Sequence, residues 1–263
     1  MKIISPPKLS TTLLVDAMYF HAAQENFKAA SAGRKNIEKA NRSFARLRAK
    51  ENQILEKHHG DSFSAYDELE PLYIQMEGAE YSIGAAYGPQ MQHLALTHIL
   101  CAAAAEAHIN QVAKEELTGN VRDHFEKVSL EGKWLFLPKM MKGCCFDQGL
   151  EPFQSFSKLI KYRNALVHYK GKREYWEGFE QGEPKFLTTL GLSLQEAERS
   201  LKSVVGMILE LSKMMTREPP YWLRKDYDKL PSDIVTNFFE ITFEQPISNK
   251  SSTGKAAKIG RAP

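Results

Sequence analysis

The feature that most constrains this chain is a helical hydrophobic period running almost unbroken from Leu9 to about Leu117. Apolar residues recur there every three or four positions and β-branched runs are scarce, which points to α-helix rather than sheet. Leu9–Ala30 carries its stripe on Leu13, Leu14, Ala17, Met18, Phe20 and Phe27. Ile37–His58 is the most polar segment, with Ile37, Phe44, Leu47, Ile54 and Leu55 on one side and charge elsewhere, the pattern of a long surface or hairpin helix. Asp61 or Ser62 is placed to cap a helix running to about Ala86, where "YGPQ" is expected to break the chain. Pro89–Leu117 is apolar almost all round between Leu94 and Ala107, so this helix is expected at the centre of the fold.

Further along, "TGN" at 118–120 separates a short helix ending near Val128, and Ser129 is positioned to cap "LEGKWLFLPKMMKG". "DQGLEP" is expected as a loop and Pro152 as the first turn of the next helix, which should stop near Lys170 because Gly171 can take the left-handed conformation. A loop rich in aromatics and glycine follows, then a short strand at "KFLTTLGL". Ser193 and Glu196 have capping-box spacing ahead of a helix to about Met215. "IVTNFFEITFE", Ile234–Glu244, suits a strand or a docked extension. The fold class expected is mainly α, an antiparallel helical bundle with elaborations. Its parts would be N-terminal helices over 1–88 packed onto the bundle, a helical core over 89–220, a C-terminal extension over 221–246 and a disordered basic tail over 247–263.

Composition narrows the function classes. With 263 residues, 43% of them hydrophobic and 25% charged, the chain can bury a sizeable core. Its net charge of only +3 means that any nucleic-acid binding must come from a local basic patch. The most apolar run, Leu94–Ala105, is too short to span a bilayer, and "MKIISPPKLS" lacks a secretory apolar region, so no membrane association is expected. Cys101, Cys144 and Cys145 are an odd set with no zinc spacing, which fits a reducing cytoplasm.

The segment "KLIKYRNALVHYKGKR", Lys158–Arg173, places three polar groups beside an apolar face. Asn164 and His168 are one helical turn apart, and Arg163 lies about 100° round from Asn164, at the border of that face. Lys158, Lys161, Lys170, Lys172 and Arg173 make the surroundings positive, a setting that attracts phosphate. Spacing alone favours a structural role for the trio, with His168 near the last carbonyls and Arg163 and Asn164 as tertiary hydrogen-bonders.

"FSKLIKYRNALVHYKGK" resembles the signature helix of the HEPN superfamily, an Arg and a polar residue followed, after a few positions, by His. Two upstream stretches agree in order: "AAAAEAHINQVAKEEL", with Glu106 and Asn110 one turn apart, and "SLEGKWLFLPKMM…FDQG…EPFQSF", similar to the connecting segment of uncharacterised HEPN-like proteins. The resemblance covers about Gln90 to Lys172 and implies a HEPN-type bundle.

It further implies a metal-independent, cofactor-free ribonuclease whose cleft is built from two copies of the motif across a homodimer, of the kind that acts as a toxin or defence effector. His168 would be the general acid or base, Arg163 would stabilise charge on the reacting phosphate, and Asn164 would orient one or the other. Glu106 and Asn110 would either support that site or form a buried network in which Arg163 or a lysine neutralises Glu106. Lys161, Lys170 and Lys172 would attract RNA, and Tyr169 would stack on a base or close an edge of the core. Such an enzyme needs restraint, which implies an inhibitory or activating partner protein. The alternatives are a non-catalytic HEPN-like module binding nucleic acid, a nucleotide or a partner, and a purely structural helical dimer.

Overall fold

Two long helices set the frame of the molecule, a computed structural model in which residues 8–171, 185–224 and 239–244 are described. Helix α1 (Val15–Lys57) has 43 residues and α2 (Tyr66–Glu116) has 51, so they extend roughly 65 and 76 Å at 1.5 Å per residue. They pack against one another as an antiparallel hairpin that turns at residues 58–65, where His59 and Gly60 both have positive φ.

Each of the two replaces a pair of shorter helices expected from the sequence. Gly33 does not interrupt α1; a Cβ there would meet the Gln90 side chain at an ordinary 3.9 Å. Pro89 does not break α2, and the 88/89 boundary falls inside that helix. Packing against α1 carries α2 through the proline: Gln90 Nε2 donates to the Ala30 carbonyl, and His93 Nδ1 lies 2.9 Å from Asn26 Oδ1. A proline costs a helix one hydrogen bond, which a long packed interface offsets.

The first expected helix also begins late. Lys8–Leu13 is a strand, β1, paired antiparallel with β2 (Phe239–Glu244) in the register Lys8↔Glu244 to Leu13↔Phe239. "KLSTTL" therefore takes its conformation from a partner some 230 residues away, which no local pattern reveals. The expected C-terminal strand is present in β2; residues 234–238 of that stretch and the tail at 247–263 lie outside the described residues.

Shorter helices complete the bundle: α3 (Gly119–Glu126), α4 (Leu130–Lys142), α5 (Phe153–Val167), α6 (Lys185–Thr189) and α7 (Leu194–Met214), with a 3-10 turn at Tyr221–Leu223. Ser129 and Ser193 cap α4 and α7 as their sequences predict, accepting from the backbone N–H of Gly132 and Glu196. "KFLTT" is helix, not strand, and turns into α7 through Gly191 at φ +67°. Among the described residues, no helix is long and apolar enough to cross a membrane.

The main core gathers α1 up to Ala23, α2 from Cys101 onward, Trp134 and Leu137 of α4, the Phe153–Phe156–Leu159 face of α5, and the Val204–Met207–Ile208–Leu211 stripe of α7. Ala30, Leu94 and Ala197 form a waist where α7 begins. Beyond it, Ala65, Leu69, Leu72 and Met76 pack with Phe44, Leu47, Ile54 and Leu55, drawing on α1 and α2 alone. The distal hairpin is thus a two-helix arm projecting from a helical bundle.

His98, fully buried on α2, ties the waist to the motif helix. Its Nε2 lies 2.8 Å from the Gly191 carbonyl, which can only accept, so the other ring nitrogen accepts from Ser200 Oγ at 2.9 Å. The Tyr162 ring rests 5.2 Å from the imidazole, and a Cβ on Gly191 would stand 2.7 Å from that tyrosine ring. Burial lowers the His98 pKa from its ordinary 6.5, opposed by the Gly191 carbonyl and the Glu196 charge. Below pH 6.5 the unfolded chain therefore takes up this proton more readily than the folded one, and stability falls with pH. We expect the thermal midpoint to drop more steeply between pH 7.5 and 5 in the wild-type protein than in His98→Gln. Equal pH slopes in the two melting series would refute this assignment.

Candidate functional site

Helix α5 is anchored at its start and free at its end. Glu151, just ahead of it, accepts from the Ser155 hydroxyl (2.7 Å) and backbone N–H (3.3 Å), a carboxylate placed where the helix dipole favours one. Pro152 occupies the cap position, one residue before the expected first turn, and α7 approaches it closely because Gly206 has no side chain: a Cβ there would lie 2.8 Å from the ring. Phe153, Phe156 and Leu159 then bury one face. Tyr162 follows, its hydroxyl donating to Glu196 Oε2 at 3.1 Å; burial and the Glu196 charge raise its pKa and keep it a neutral phenol.

Beyond Tyr162, Ala165 and Leu166 stay half-buried while the polar residues turn toward solvent. Arg163 is half-buried, and Asn164 and His168 are exposed. Arg163 Nη1 donates to Asn164 Oδ1 at 3.0 Å, and the His168 backbone N–H donates to the Asn164 carbonyl. The helix ends at Val167 with His168 as its C-cap, three residues short of Lys170, so Gly171 does not terminate it. Residues one turn apart on a helix lie about 5–6 Å apart at Cβ. The trio is thus contiguous, with Asn164 between the guanidinium and the imidazole.

Lys161, Tyr169 and Lys170 are exposed around it, and Lys172 lies outside the described residues. Tyr169 is 49% exposed and Val167 50%, so Tyr169 does not close a core edge. The three clefts described in the molecule are lined by neither Arg163 nor His168. The patch is open, reachable by a large ligand, and has no second wall within the described chain.

The supporting pair lies elsewhere. Lys133 of α4, only 3% exposed, donates to Asn110 Oδ1 at 3.0 Å and sits 3.7 Å from Glu106 Oε1. A lysine therefore neutralises Glu106, and Arg163 does not. The reason is direction: α5 runs antiparallel to this part of α2, with Tyr162 against His98, while Phe156 meets Trp134, which stacks on His108. Glu106 is two turns beyond His98, about 12 Å farther along the axis, at the opposite end of α5 from the motif.

Beside that pair is a buried Asp–His hydrogen bond that the sequence pattern did not single out. His108 Nδ1 lies 3.0 Å from Asp16 Oδ2 with both side chains nearly buried, and Asp16 Oδ1 accepts from the Ala17 N–H in the first turn of α1. Asp16, Glu106, Asn110 and Lys133 line one cleft of about 1090 Å³, and Asp16 and His108 line an adjoining one of about 230 Å³ that reaches Arg217 and Trp222. Arg217 is itself held by Glu115 and Glu116. A signal did exist: Asp16 interrupts the stripe Leu13–Leu14–Ala17, and Lys133 interrupts "LEGKWLFLP". A charge inside an apolar stripe requires a partner.

These charges answer one another, which marks them as fixing helix register. Removing one member of such a pair strands the other. We expect Asp16→Ala to cost about 2 kcal/mol in urea unfolding, the loss of a buried hydrogen bond that leaves its partner unpaired, and Asp16→Ala/His108→Ala to cost clearly less than the sum of the two single variants. Additive losses would mean that the pair contributes no coupling.

Comparison of the chain with family models, with curated proteins and with solved structures finds no match.

Proposed function

We propose that the protein is a HEPN-type, metal-independent endoribonuclease that works as a homodimer. The observation that supports this reading is the connected, outward-facing patch at the end of α5: Arg163 bonded to Asn164, and His168 one turn beyond, exposed. The same three residues are those on which the sequence resemblance rests.

The chemistry suits the groups. An RNA 2′-hydroxyl attacks the adjacent phosphorus while imidazole takes its proton; the P–O5′ bond breaks, leaving a 2′,3′-cyclic phosphate and a 5′-hydroxyl that receives a proton. The Arg163 guanidinium presents two parallel donors to the phosphate oxygens as charge builds on them. Asn164, already accepting from Arg163, positions the fork. A polymer needs an open approach, and the patch offers one. The missing second wall is supplied by a symmetry-related copy, with Val167 and Tyr169 as apolar contacts beside the motif.

The test is incubation of labelled single-stranded RNA with purified protein in EDTA, beside His168→Ala and Arg163→Ala. Cleavage should survive EDTA, leave cyclic phosphate ends, and fall on the order of 100-fold or more in His168→Ala. Unchanged cleavage in His168→Ala would discard the mechanism. RNA binding that depends on Arg163, with no cleavage, would instead assign the patch to a non-catalytic binding module. Sedimentation at micromolar concentration should show a dimer, and a monomer would remove the shared cleft.

A further inference from the structure

The arm carries a feature that the motif does not use. Its two helices have opposite charge: residues 28–57 hold nine Lys and Arg against three Glu, whereas residues 61–88 hold six acids and no Lys or Arg. On α1 the cations are ordered. Lys35, Lys39, Arg42, Arg46 and Lys50 follow one another at intervals of four, three, four and four residues, which places them within about 80° of one another around the helix axis. All five are exposed, and they lie opposite Ile37, Phe44 and Leu55, on the side that packs on α2, with Leu47 at the border between the two faces. Lys28 and Lys57 continue the line at either end.

Among the described residues this ridge is not neutralised. Lys28 pairs with Glu25, Arg34 with Glu38, Arg48 with Glu51 and Lys57 with Glu68, but none of the five central cations pairs with a carboxylate among the described residues. Arg42 turns one donor to the Glu38 carbonyl, leaving its charge uncompensated. Five like charges along roughly 22 Å of helix repel one another, and helix α1 gains nothing internal from lining them up.

We infer that this ridge of α1 is a binding surface for the phosphodiester backbone of RNA, separate from the Arg163–His168 patch and feeding the same end of the bundle. The cations recur every 4.5–6 Å or so, comparable to the separation of neighbouring phosphates along a strand. The ridge offers no aromatic or large aliphatic side chain, only Ser43 and small or polar residues between the cations, so it lacks what the centre of a protein interface requires. A polyanion needs no apolar anchor; it is held by charge and by counterion release.

Position supports the same reading. The arm leaves the bundle at the waist of Ala30, Leu94 and Ala197, where α7 begins, and the end of α5 reaches that same level through Tyr162 to Glu196. RNA lying along the ridge therefore runs toward the end of the bundle that carries the motif. The choice of RNA rests on the function proposed above, but retention on the ridge does not require cleavage.

The experiment measures binding by fluorescence anisotropy of a 20-nucleotide single-stranded RNA and of DNA of the same sequence, which has no 2′-hydroxyl to react. Five phosphate contacts predict a slope of log affinity against log salt near −3.5, so binding should weaken about 100-fold between roughly 50 and 200 mM salt. RNA and DNA should bind within a few-fold of each other. The variant with Gln at all five ridge positions should lose binding and most of the salt slope, each single Gln should reduce the slope by about 0.7, and Glu70→Gln/Glu77→Gln on α2 should change neither.

Circular dichroism of the five-site variant checks that the exposed substitutions leave the helices intact; if they do not, the single variants carry the test through their slopes. Unchanged affinity and slope in all ridge variants would overturn the inference. So would a ridge variant that converts a dimer to a monomer while binding nucleic acid as before, since the ridge would then be a protein interface. Loss of cleavage alone, with ridge-dependent binding of DNA retained, would count against the Arg163–His168 chemistry and leave the ridge standing.

Discussion

The second half of α2 is covered around most of its circumference. No residue from His93 to Ala113 is exposed as a whole, and the cleft edge at Glu106 and Asn110 opens to solvent, so other elements must pack on most of its sides. Apolar burial drives that assembly but does not by itself say how far each neighbour slides along α2. The polar groups on α2 do. His93 takes Asn26 and His108 takes Asp16, both of α1; Asn110 and Glu106 take Lys133 of α4; His98 takes Ser200 of α7 and supports Tyr162 of α5. Helices α1, α4 and α7 each have a polar peg on the central one, and α5 rests a ring against His98. A one-turn slip of α1, α4 or α7 would leave a buried donor or acceptor unpaired, at a cost of about 1–3 kcal/mol or more for a charged group.

That scheme explains which parts of the fold were legible in the sequence. Helix identity, the central place of the Leu94–Ala107 run, and the caps at Ser129 and Ser193 are local properties, set by periodicity and side-chain chemistry over a few residues. The failures share a cause in long-range packing. Pro89 reads as a break until α1 is known to lie alongside, and "KLSTTL" reads as helix until β2 pairs with it. "KFLTTLGL" reads as a strand because its β-branched content is visible and the Gly191 turn against Tyr162 is not. The partner of Glu106 was legible only as a class, a cation, because helix direction decides which cation comes near.

The motif residues differ from the pegs in the respect that matters for function. Asp16, His98, His108 and Lys133 are buried and answered by a partner, so their chemistry is spent on the fold. Asn164 and His168 stand outside, bonded to each other through the backbone, with Asn164 also accepting from Arg163 and no other described helix bonding to their side chains. The buried anchors of α5, Phe153, Phe156 and Leu159, and the Tyr162 bond to Glu196 all precede the motif. Replacing His168 therefore removes an imidazole without dismantling the helix that presents it, which makes a loss of activity there interpretable as chemistry rather than unfolding.

Net charge conceals the other half of the arrangement. A chain at +3 looks electrostatically plain, yet the arm separates its charges onto two helices, and antiparallel packing determines which faces they occupy. Helices α1 and α2 spend their apolar faces on one another, so the basic line on α1 points away from the acidic helix that could have neutralised it. Attraction between the two still acts at the turn, where Lys57 and His58 reach Glu68. Along the rest of the arm the field of the cations is directed into solvent, where screening acts over a length of about 8–10 Å at physiological salt. Only a ligand that lies against the helix can feel all five together, and an extended, regularly charged one does so at least entropic cost.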